Sequence, residues 1–390
     1  MGGFPLITIV TPSFNQAAYI GETIESVLSQ AGEFEIEYFI MDGGSTDGSV
    51  EIIKSYAEHL SCGEYPLRCM GATLEWVSHK DKGQSDAINQ GLRRATGEIA
   101  GYINSDDAFC DGAFARVLQE FAARPEADFI YGDGDVIGAE GELQWEWLSR
   151  PYDHGVMTSY HFWWNDFTNY IMQQATFWRR SVMERIGYFD ENFHYAMDTE
   201  YWIRAGHHGL HLHHLPHKLG KFRLITGTKS LSSPTVFWKD YLEIFRRYRG
   251  ARQLGRFFAY FYYNVAKQLG WNCEQARQTG RRVFEQWQHL PEREQNLIEH
   301  QADYGYGLAC LLVATELLRL GQQPQAQRIL THALSQRHWL AAHPLSWNYG
   351  FRRLAGQRVS VVLDAWATRF IQYYRRTRYE ARYHTQPPKS

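Results

Sequence analysis

The chain has 390 residues and a formal net charge of −3, so its length predicts two domains and its charge gives no electrostatic reason to expect a nucleic-acid partner. Its hydrophobic fraction of 44% and charged fraction of 21% exclude wholesale disorder. Aromatic residues make up 15% of the chain, which suits a sugar-binding surface, a protein core or a membrane-interface belt. Composition therefore favours a folded protein but does not choose its function.

The cysteines and the amino terminus bear on where the protein works. The five cysteines are scattered and form no Cys-x-x-Cys pair, which indicates reduced thiols rather than a disulfide framework or a structural zinc site. The start, MGGFPLITIV, lacks the basic region of a signal peptide. No stretch approaches the ~20 apolar residues of a spanning helix. We expect a cytoplasmic protein, free in the cytoplasm or at the inner face of the membrane.

The first half of the chain alternates β-type runs with helical patterns. In chain order we predict a strand at 6–11, a helix at 16–30, a strand at 35–41, a helix at 49–60, a strand at 74–77, a helix at 84–94, a strand at 99–103, a helix at 112–124 and a strand at 129–131. This alternation predicts an α/β fold, Rossmann-like, with a mostly parallel sheet and helices on both faces.

After about residue 230 the pattern becomes helical. Helices are predicted at 238–249 and 256–268, and an antiparallel pair at 302–320 and 325–334, with Gly321 ending the first helix of the pair. We therefore predict two domains, residues 1–230 and a mainly α-helical region at 231–390.

Acidic side chains recur where the predicted strands end. The strand-end loops are 11–15, 42–47, 80–86, 104–107 and 133–135, and four of these five contain aspartate. Ligands of such sheets bind beyond the carboxyl ends of the strands. Several carboxylates at one edge would repel one another unless a cation or a hydrogen-bonded ligand satisfied them. The pattern therefore predicts a ligand site at this edge.

Four segments carry a family resemblance: ITIVTPSFNQAAYIGETIESVLSQ, EYFIMDGGSTDGS, KDKGQSDAINQGLRRATGEIAGYINSDDAF and QQATFWRRSVMERIGYFDENFHYAMDTEYWIRAG. Together they resemble family 2 glycosyltransferases of the GT-A fold over roughly the first 230 residues. The resemblance implies a nucleotide-sugar-binding catalytic domain that transfers a sugar from a nucleotide-diphosphate sugar with inversion.

The resemblance also implies which residues bind the donor. Asp42 matches the acceptor of hydrogen bonds from the base, although DGGSTDG is also a good turn sequence, and we interpret Asp47 as a helix cap. Asp86 matches a further donor contact, and Lys82 could face phosphate or simply be solvated. The loop that cradles the nucleotide contributes Thr11, Pro12, Ser13 and Asn15.

The segment Asn104-Ser105-Asp106-Asp107 occupies the place of the family's metal motif. Asp106 matches the metal ligand, and Asn104 and Ser105 lie on the donor side, Asn104 where the family contacts the ribose. Asp107 is also assigned to the metal site, where it would either support the ligand Asp106 from behind or cap the next helix. A hard cation, Mn²⁺ or Mg²⁺, would neutralise the diphosphate. The alternative is that this segment is only a polar turn. Its first position is Asn104, whereas the family more often has aspartate there.

Asp198, in MDTEYWIRAG, matches the family's catalytic base. Asp198 and Glu200 could equally form an acidic pair at a helix amino terminus. The aromatic segment 161–170 could form a sugar platform or pack in the core, and Ile225 stands where the family often has a histidine. Six histidines in residues 207–217 have spacings that can bind metal only in a helix, whereas the leucines there favour a strand or loop.

The Gln-x-x-Arg-Trp signature of polymer-forming relatives is absent, so we expect transfer of single sugars to a glycan or lipid-linked acceptor in cell-surface polysaccharide synthesis. Two alternatives remain: a catalytically degenerate scaffold, and a nucleotidyltransferase, which would need a Gly-rich basic loop. Residues 246–267 are rich in arginine and aromatic residues, which predicts a peripheral membrane contact. The alternative is that they form a helical lid or a contact in a homo-oligomer.

Overall fold

The computed structural model describes residues 4–158, 171–225, 234–342 and 346. The chain divides into two compact units, Met1–Ile244 and Phe245–Ser390, with the boundary inside a helix. The boundary expected at 230/231 falls among residues 226–233, which lie outside the described ranges, as does the aromatic segment 161–170. The roles assigned to the two domains stay predictions.

The first unit is built around one sheet, whose hydrogen-bonded order is β3-β2-β1-β4-β8-β6-β9-β5, with β7 paired to β6. The strands are β1 (Leu6–Ser13), β2 (Glu35–Asp42), β3 (Gly71–Ser78), β4 (Ile99–Tyr102), β5 (Ala108–Phe109), β6 (Phe129–Ile137), β7 (Leu143–Trp147), β8 (Thr176–Arg179) and β9 (Leu212–Arg223).

The sheet is parallel in one half and mixed in the other. β1 pairs in parallel with β2 and with β4, and β2 pairs in parallel with β3. β8 then runs antiparallel to β4 and β6, and β6 pairs in parallel with β9 and antiparallel to β7. The predicted α/β class is confirmed.

Helices cover the sheet because their apolar residues recur at helical spacing. In the first unit they are α1 (Ile20–Leu28), α2 (Ser49–Ser61), α3 (Gln84–Leu92), α4 (Ala113–Ala123), α5 (His154–Met157), α6 (Ser181–Ile186) and α7 (Met197–His207), while α8 (Pro234–Arg249) crosses the unit boundary. Ile20, Ile24, Val27 and Leu28 of α1 are fully buried, which is the stripe expected of a helix packed on a core. Strand β1 is buried along nearly its whole length, as expected for a strand covered on both faces.

The second unit is helical in its described part. Its helices are α9 (Leu254–Gln268), α10 (Cys273–Val283), α11 (Glu292–Arg319) and α12 (Gln323–Gln336). Helices α11 and α12 pack on each other, and Gly321, with φ of +78°, lies in the turn between them, as predicted.

The aromatic residues of α9 are part of the core of the second unit. Phe257, Phe258, Phe261 and Tyr262 are each at most 3% exposed, so they offer little apolar surface to a bilayer. Within the described ranges, no helix is both long enough and apolar enough to cross a membrane.

Candidate active site

The carboxyl ends of β1 to β4 meet at one edge of the sheet. Ser13 is the register partner of Asp42, and Asp42 is the register partner of Ser78. Since neighbouring strands lie about 4.8 Å apart, these three residues fall within about 10 Å of one another along the edge. Asn104 follows β4, which flanks β1 on the other side. The structure thus brings together the loops after four strands.

Asp42 is buried at this edge and organises the loop that follows it. Its Oδ2 accepts hydrogen bonds from the backbone N–H of Gly44 (3.0 Å) and Ser45 (2.9 Å) and from the Ser78 hydroxyl (2.6 Å), and its Oδ1 accepts one from the Ser45 hydroxyl (2.5 Å). Burial alone would raise the pKa of Asp42, but these hydrogen bonds outweigh it and hold the pKa below its usual value. The carboxylate is therefore charged, and Oδ1 retains a lone pair for one further donor.

Asn15 joins the first two strand-end loops. Its backbone N–H donates to the Ser45 hydroxyl (2.7 Å), and its Oδ1 accepts from the Thr46 N–H (2.9 Å). Asn15 has φ of +51°, a left-handed conformation that asparagine tolerates better than most residues. Asp47 accepts from the N–H of Ala17 and Ser49, so it supports the loop before α2, but the cap position of this helix is Gly48 and not Asp47 as predicted. Asn15 thus fixes the shape of the loop through its backbone N–H and its Oδ1.

Two features beside Asp42 suit a ligand, namely the hydroxyl of Ser13 and the ring of Phe14. The Ser13 hydroxyl oxygen is buried without a hydrogen-bond partner among the described residues. A Cβ added to Gly43 would lie 2.9 Å from Asp81 Oδ2 and 3.3 Å from Phe14 Cδ2, so the backbone here is approached closely from two sides. The Phe14 ring is 61% exposed at the same place. An orphaned hydroxyl next to an exposed ring suits a polar molecule with a planar group.

The remaining donor-side residues of the sequence analysis differ in their access. Thr11 is fully buried with its hydroxyl 2.9 Å from that of Tyr38, and Pro12 is buried as well, so both support the strand. Asp86 Oδ2 accepts from the backbone N–H of Lys82 (3.0 Å) at the start of α3. The Lys82 side chain is exposed. Its proposed contact with phosphate stays a prediction.

A network of amides surrounds Asp107 beneath the loop after β4. Asp107 Oδ2 accepts from Gln174 Nε2 (2.7 Å) and Asn104 Nδ2 (3.0 Å), and Oδ1 accepts from the Arg223 N–H (2.8 Å). Asn104 Oδ1 in turn accepts from Gln84 Nε2 (2.6 Å). Burial, followed by the charge of Asp106, raises the pKa of Asp107 to about 8. Asp107 therefore has the position behind Asp106, and the cap of α4 is Gly112 instead.

Asp106 is the carboxylate of this loop that stays accessible. Its side chain is partly exposed, while Ser105 next to it is 4% exposed. Burial raises the pKa of Asp106, which its own backbone N–H and the Arg223 charge oppose. No side chain of the described residues donates to this carboxylate, since Arg223 Nε donates to the Asp106 carbonyl oxygen instead (2.8 Å). A partly buried carboxylate without a side-chain donor suits a divalent cation that takes one protein carboxylate and completes its shell with phosphate and water.

Other candidate metal ligands lie apart from this loop. In the part of the chain that the structure describes, no group of three or more His, Cys, Asp or Glu side chains is arranged to hold a metal ion. The histidines of 207–217 lie at the end of α7 and along β9. β9 is the strand that the leucines of this segment favoured. Asp133 and Asp135 are not in a strand-end loop, because β6 continues to Ile137; they pair with His214 and Lys218.

Asp198 lies in the first turn of α7, partly exposed. Its Oδ1 accepts from the Thr199 N–H (2.6 Å) and from the Thr199 hydroxyl (3.2 Å), and both contacts are local to the first turn of the helix. Glu200 is buried and paired with Arg204 at 2.7 Å, so it is a structural residue of the helix and not a second group at the site.

Tyr102, in β4, connects Asp198 with the loop after that strand. Burial raises the pKa of Tyr102, and the negative charges of Asp198 and Asp107 raise it further. At the start of α3, the Ser85 hydroxyl donates to Met197 Sδ (2.7 Å), directly before Asp198, and the neighbouring Gln84 Nε2 donates to Asn104 Oδ1 (2.6 Å) in the loop after β4. Tyr102 also contacts Trp178 and Phe189 edge to face, inside an aromatic cluster that holds α7 on the sheet. The start of α7, which carries Asp198, and the loop that carries Asp106 therefore both adjoin the start of α3.

Sequence reasoning missed several residues that position these groups. Asp240 on α8 is 6% exposed and accepts from the N–H of Tyr195 (2.7 Å) and Ala196 (3.0 Å), directly before α7. Arg223 is 1% exposed and pairs with Glu22 while it holds the loop of Asp106. The signal available was a charged residue inside an apolar pattern, but a single sequence does not show its partner.

Comparison with known proteins agrees with this arrangement. Residues 8–189 match the family model described as Glycosyl transferase family 2. A PGL/p-HBAD biosynthesis glycosyltransferase of Mycobacterium tuberculosis is 28% identical over 203 residues, which are 52% of this chain and 70% of that protein. Chondroitin synthase of Escherichia coli is 30% identical over 164 residues, which are 40% of this chain and 22% of that protein.

Among solved structures, residues 1–349 of TarS from S. aureus in complex with UDP share the fold with a TM-score of 0.53 at 16% sequence identity, covering 81% of this chain and 92% of that one. The expected GT-A fold is confirmed, with a helical region after the unit that contains the sheet. The family match and the relatives identify residues 8–189 as a glycosyltransferase family 2 domain.

Proposed function

We propose that this glycosyltransferase moves a single sugar, with inversion, from a nucleotide-diphosphate sugar to a glycan or lipid-linked acceptor at the inner face of the membrane. The observation that carries the proposal is that the start of α3 contacts both Met197, directly before Asp198, and Asn104 in the loop of Asp106. That loop follows β4, next to the strand ends where Ser13 and Asp42 lie. Donor contacts, a cation ligand and a base at one edge are what the reaction needs.

The donor's nucleotide would lie between the loops after β1, β2 and β3. Among the described residues, Ser13 Oγ has no hydrogen-bond partner, so it can donate to or accept from a base or ribose. Asp42 Oδ1 retains a lone pair and offers the same ligand a charged acceptor. The exposed Phe14 ring gives a base an aromatic face. TarS residues 1–349, which have this fold, were solved with UDP. The diphosphate would then extend toward Asp106 and Lys82.

Asp106 would hold Mn²⁺ or Mg²⁺, with Asp107 and its amide network fixing the loop. A bound cation supplies charge neutralisation for the diphosphate leaving group. Because one carboxylate alone binds such a cation weakly, we expect cation and donor to bind together. Lys82 would add a second positive charge to the phosphates.

Asp198 would act as the base. The acceptor hydroxyl attacks the anomeric carbon from the side opposite the nucleoside diphosphate, which leaves, and the Asp198 carboxylate takes the hydroxyl proton as the new bond forms. Glu200 is committed to Arg204, so one carboxylate serves as base and no second carboxylate is placed as a nucleophile among the described residues. A single displacement inverts the configuration at the anomeric carbon.

The relative named chondroitin synthase supports polysaccharide synthesis as the setting. The alternative, a catalytically degenerate scaffold, is addressed by the same experiment. Purified protein is incubated with Mn²⁺ and a panel of UDP- and GDP-linked sugars, and release of nucleoside diphosphate is measured. We expect turnover of one donor by wild type and by Asp111→Asn, an exposed carboxylate five positions from Asp106, and loss of turnover in Asp106→Asn. Binding of nucleotide without any turnover of the panel would favour the scaffold.

A further inference from the structure

The second unit contains a cavity of about 550 Å³ where three helical segments end or begin. One wall is residues 249–253, which join the end of α8 to the start of α9, and the other is the first turns of α11 with Pro291, Arg293, Glu294 and Leu297. All of these residues belong to the second unit, so the cavity is separate from the residues of the donor site.

The cavity is lined by more positive than negative charge. Arg249, Arg252 and Arg293 line it together with a single acid, Glu294. Glu294 Oε1 is already paired with Arg246 Nη1 at 2.8 Å. Arg252 and Arg293 are exposed, and no ion pair joins either of them to another described residue. Two guanidinium groups at this cavity are therefore available to an anion.

The surrounding sequence and backbone favour an anion as well. Between Glu243 and Glu274 there is no acidic residue, while the same stretch contains five arginines and one lysine. The amino-terminal ends of α9 and α11 adjoin the cavity, and neither has a side-chain cap. The first N–H groups of a helix lack partners inside the helix and carry partial positive charge, so they add to the arginine charges.

We infer that this cavity binds a phosphate group. Guanidinium groups recognise phosphate through paired, charge-assisted hydrogen bonds, and two or three arginines around one cavity match the three free oxygens of a phosphate monoester. A volume of about 550 Å³ exceeds what one phosphate needs and leaves room for the molecule that carries it. That carrier is either a soluble phosphate-bearing molecule or a lipid headgroup. The site does not depend on the proposed transfer reaction.

The test uses the full chain and a matched pair of double variants. Arg252→Gln/Arg293→Gln removes two cavity arginines, and Arg282→Gln/Arg328→Gln removes two exposed arginines of α10 and α12 that do not line the cavity. Inorganic phosphate and pyrophosphate are titrated by calorimetry in EDTA, so that metal-dependent binding at the donor site does not contribute. Losing several charge-assisted hydrogen bonds predicts at least about a 10-fold weaker Kd in the cavity variant and a change of less than about 2-fold in the control.

Flotation with vesicles then distinguishes the two sources. Wild type that floats with phosphatidic acid vesicles but not with phosphatidylcholine vesicles, and a cavity variant that stays at the bottom, identify a lipid phosphate. Binding of soluble phosphate without flotation identifies a soluble carrier. If wild type binds neither probe, or both double variants lose binding equally, the inference is wrong. If the double variant does not fold, Arg252→Gln alone is expected to weaken binding about 3-fold against Arg282→Gln. Donor turnover, measured separately, reports on the proposed reaction alone.

Discussion

Replacement of Asp240 by alanine tests how the proposed base is positioned. The Asp240 carboxylate is 6% exposed and accepts hydrogen bonds from the N–H groups of Tyr195 (2.7 Å) and Ala196 (3.0 Å). These two residues directly precede the helix turn that carries Asp198. Hydrogen bonds to a charged acceptor contribute about 1.5–3 kcal/mol each, so Asp240→Ala should weaken this segment by about 3 kcal/mol or more. A shift of about 1 Å in a reacting group costs about 100-fold in rate.

The assay separates this effect from general damage. We expect Asp240→Ala to lower kcat by about 100-fold while KM for the donor changes by less than about 3-fold, because the donor residues lie on other loops. Asp240→Asn keeps an oxygen acceptor of the same shape and should recover much of kcat. The melting temperature of Asp240→Ala should fall by about 6–12 °C. A folded Asp240→Ala protein with the kcat of wild type would refute the reasoning.

Three further changes give distinct outcomes. Asp198→Asn should keep donor binding in calorimetry but reduce transfer by about 10²–10⁴-fold, and wild-type transfer would remove Asp198 from the mechanism. Burial and the Asp106 charge raise the pKa of Asp107 to about 8, so the folded metal-free protein holds a proton that the unfolded chain releases above about pH 4. Its free energy of unfolding should therefore fall as the pH rises from about 4 to about 8, and Asp107→Asn should remove this slope in denaturant titrations; an unchanged slope contradicts the assignment. Gly91→Ala would place a Cβ 2.6 Å from Val10 Cγ1, so it should destabilise the protein by about 1–3 kcal/mol although alanine favours helices, and a rise in melting temperature would show that α3 can move away from β1.

The parallel half of the fold was predictable because its signals are local. The β1 run ITIV and the helical stripe of α1 each bury a continuous apolar surface, so periodicity alone identifies them. β5 has two residues and β8 has four, too few for a period to be visible. The glycines at 132 and 134 suggest a loop, but β6 continues through them. Glycine is needed at 132 because a Cβ there would lie 2.6 Å from the Leu219 side chain. Close approach of β9 decides that segment, and sequence alone does not show it.

The chemistry of the site was predictable from the sequence, but the contacts that hold its residues in place were not. Asp42, Asp106 and Asp198 stand in motifs whose order along the chain places them at strand or helix ends. The hydrogen bonds that set their surroundings are long-range: the Arg223 N–H reaches Asp107 across 116 residues of sequence. Such contacts determine that Asp107 is buried behind Asp106, which the motif by itself leaves open.

The central claim is that acidic residues of one sheet edge bind a divalent cation together with the donor's diphosphate. Calorimetry of UDP with wild type, with Mn²⁺ and with EDTA, measures this directly, alongside Asp106→Ala and the exposed control Asp111→Ala. We predict binding that Mn²⁺ strengthens at least about 10-fold in wild type and in Asp111→Ala, and no strengthening in Asp106→Ala. Equal UDP affinity with Mn²⁺ and with EDTA, or an Asp106→Ala variant that keeps the Mn²⁺ effect, would contradict the account.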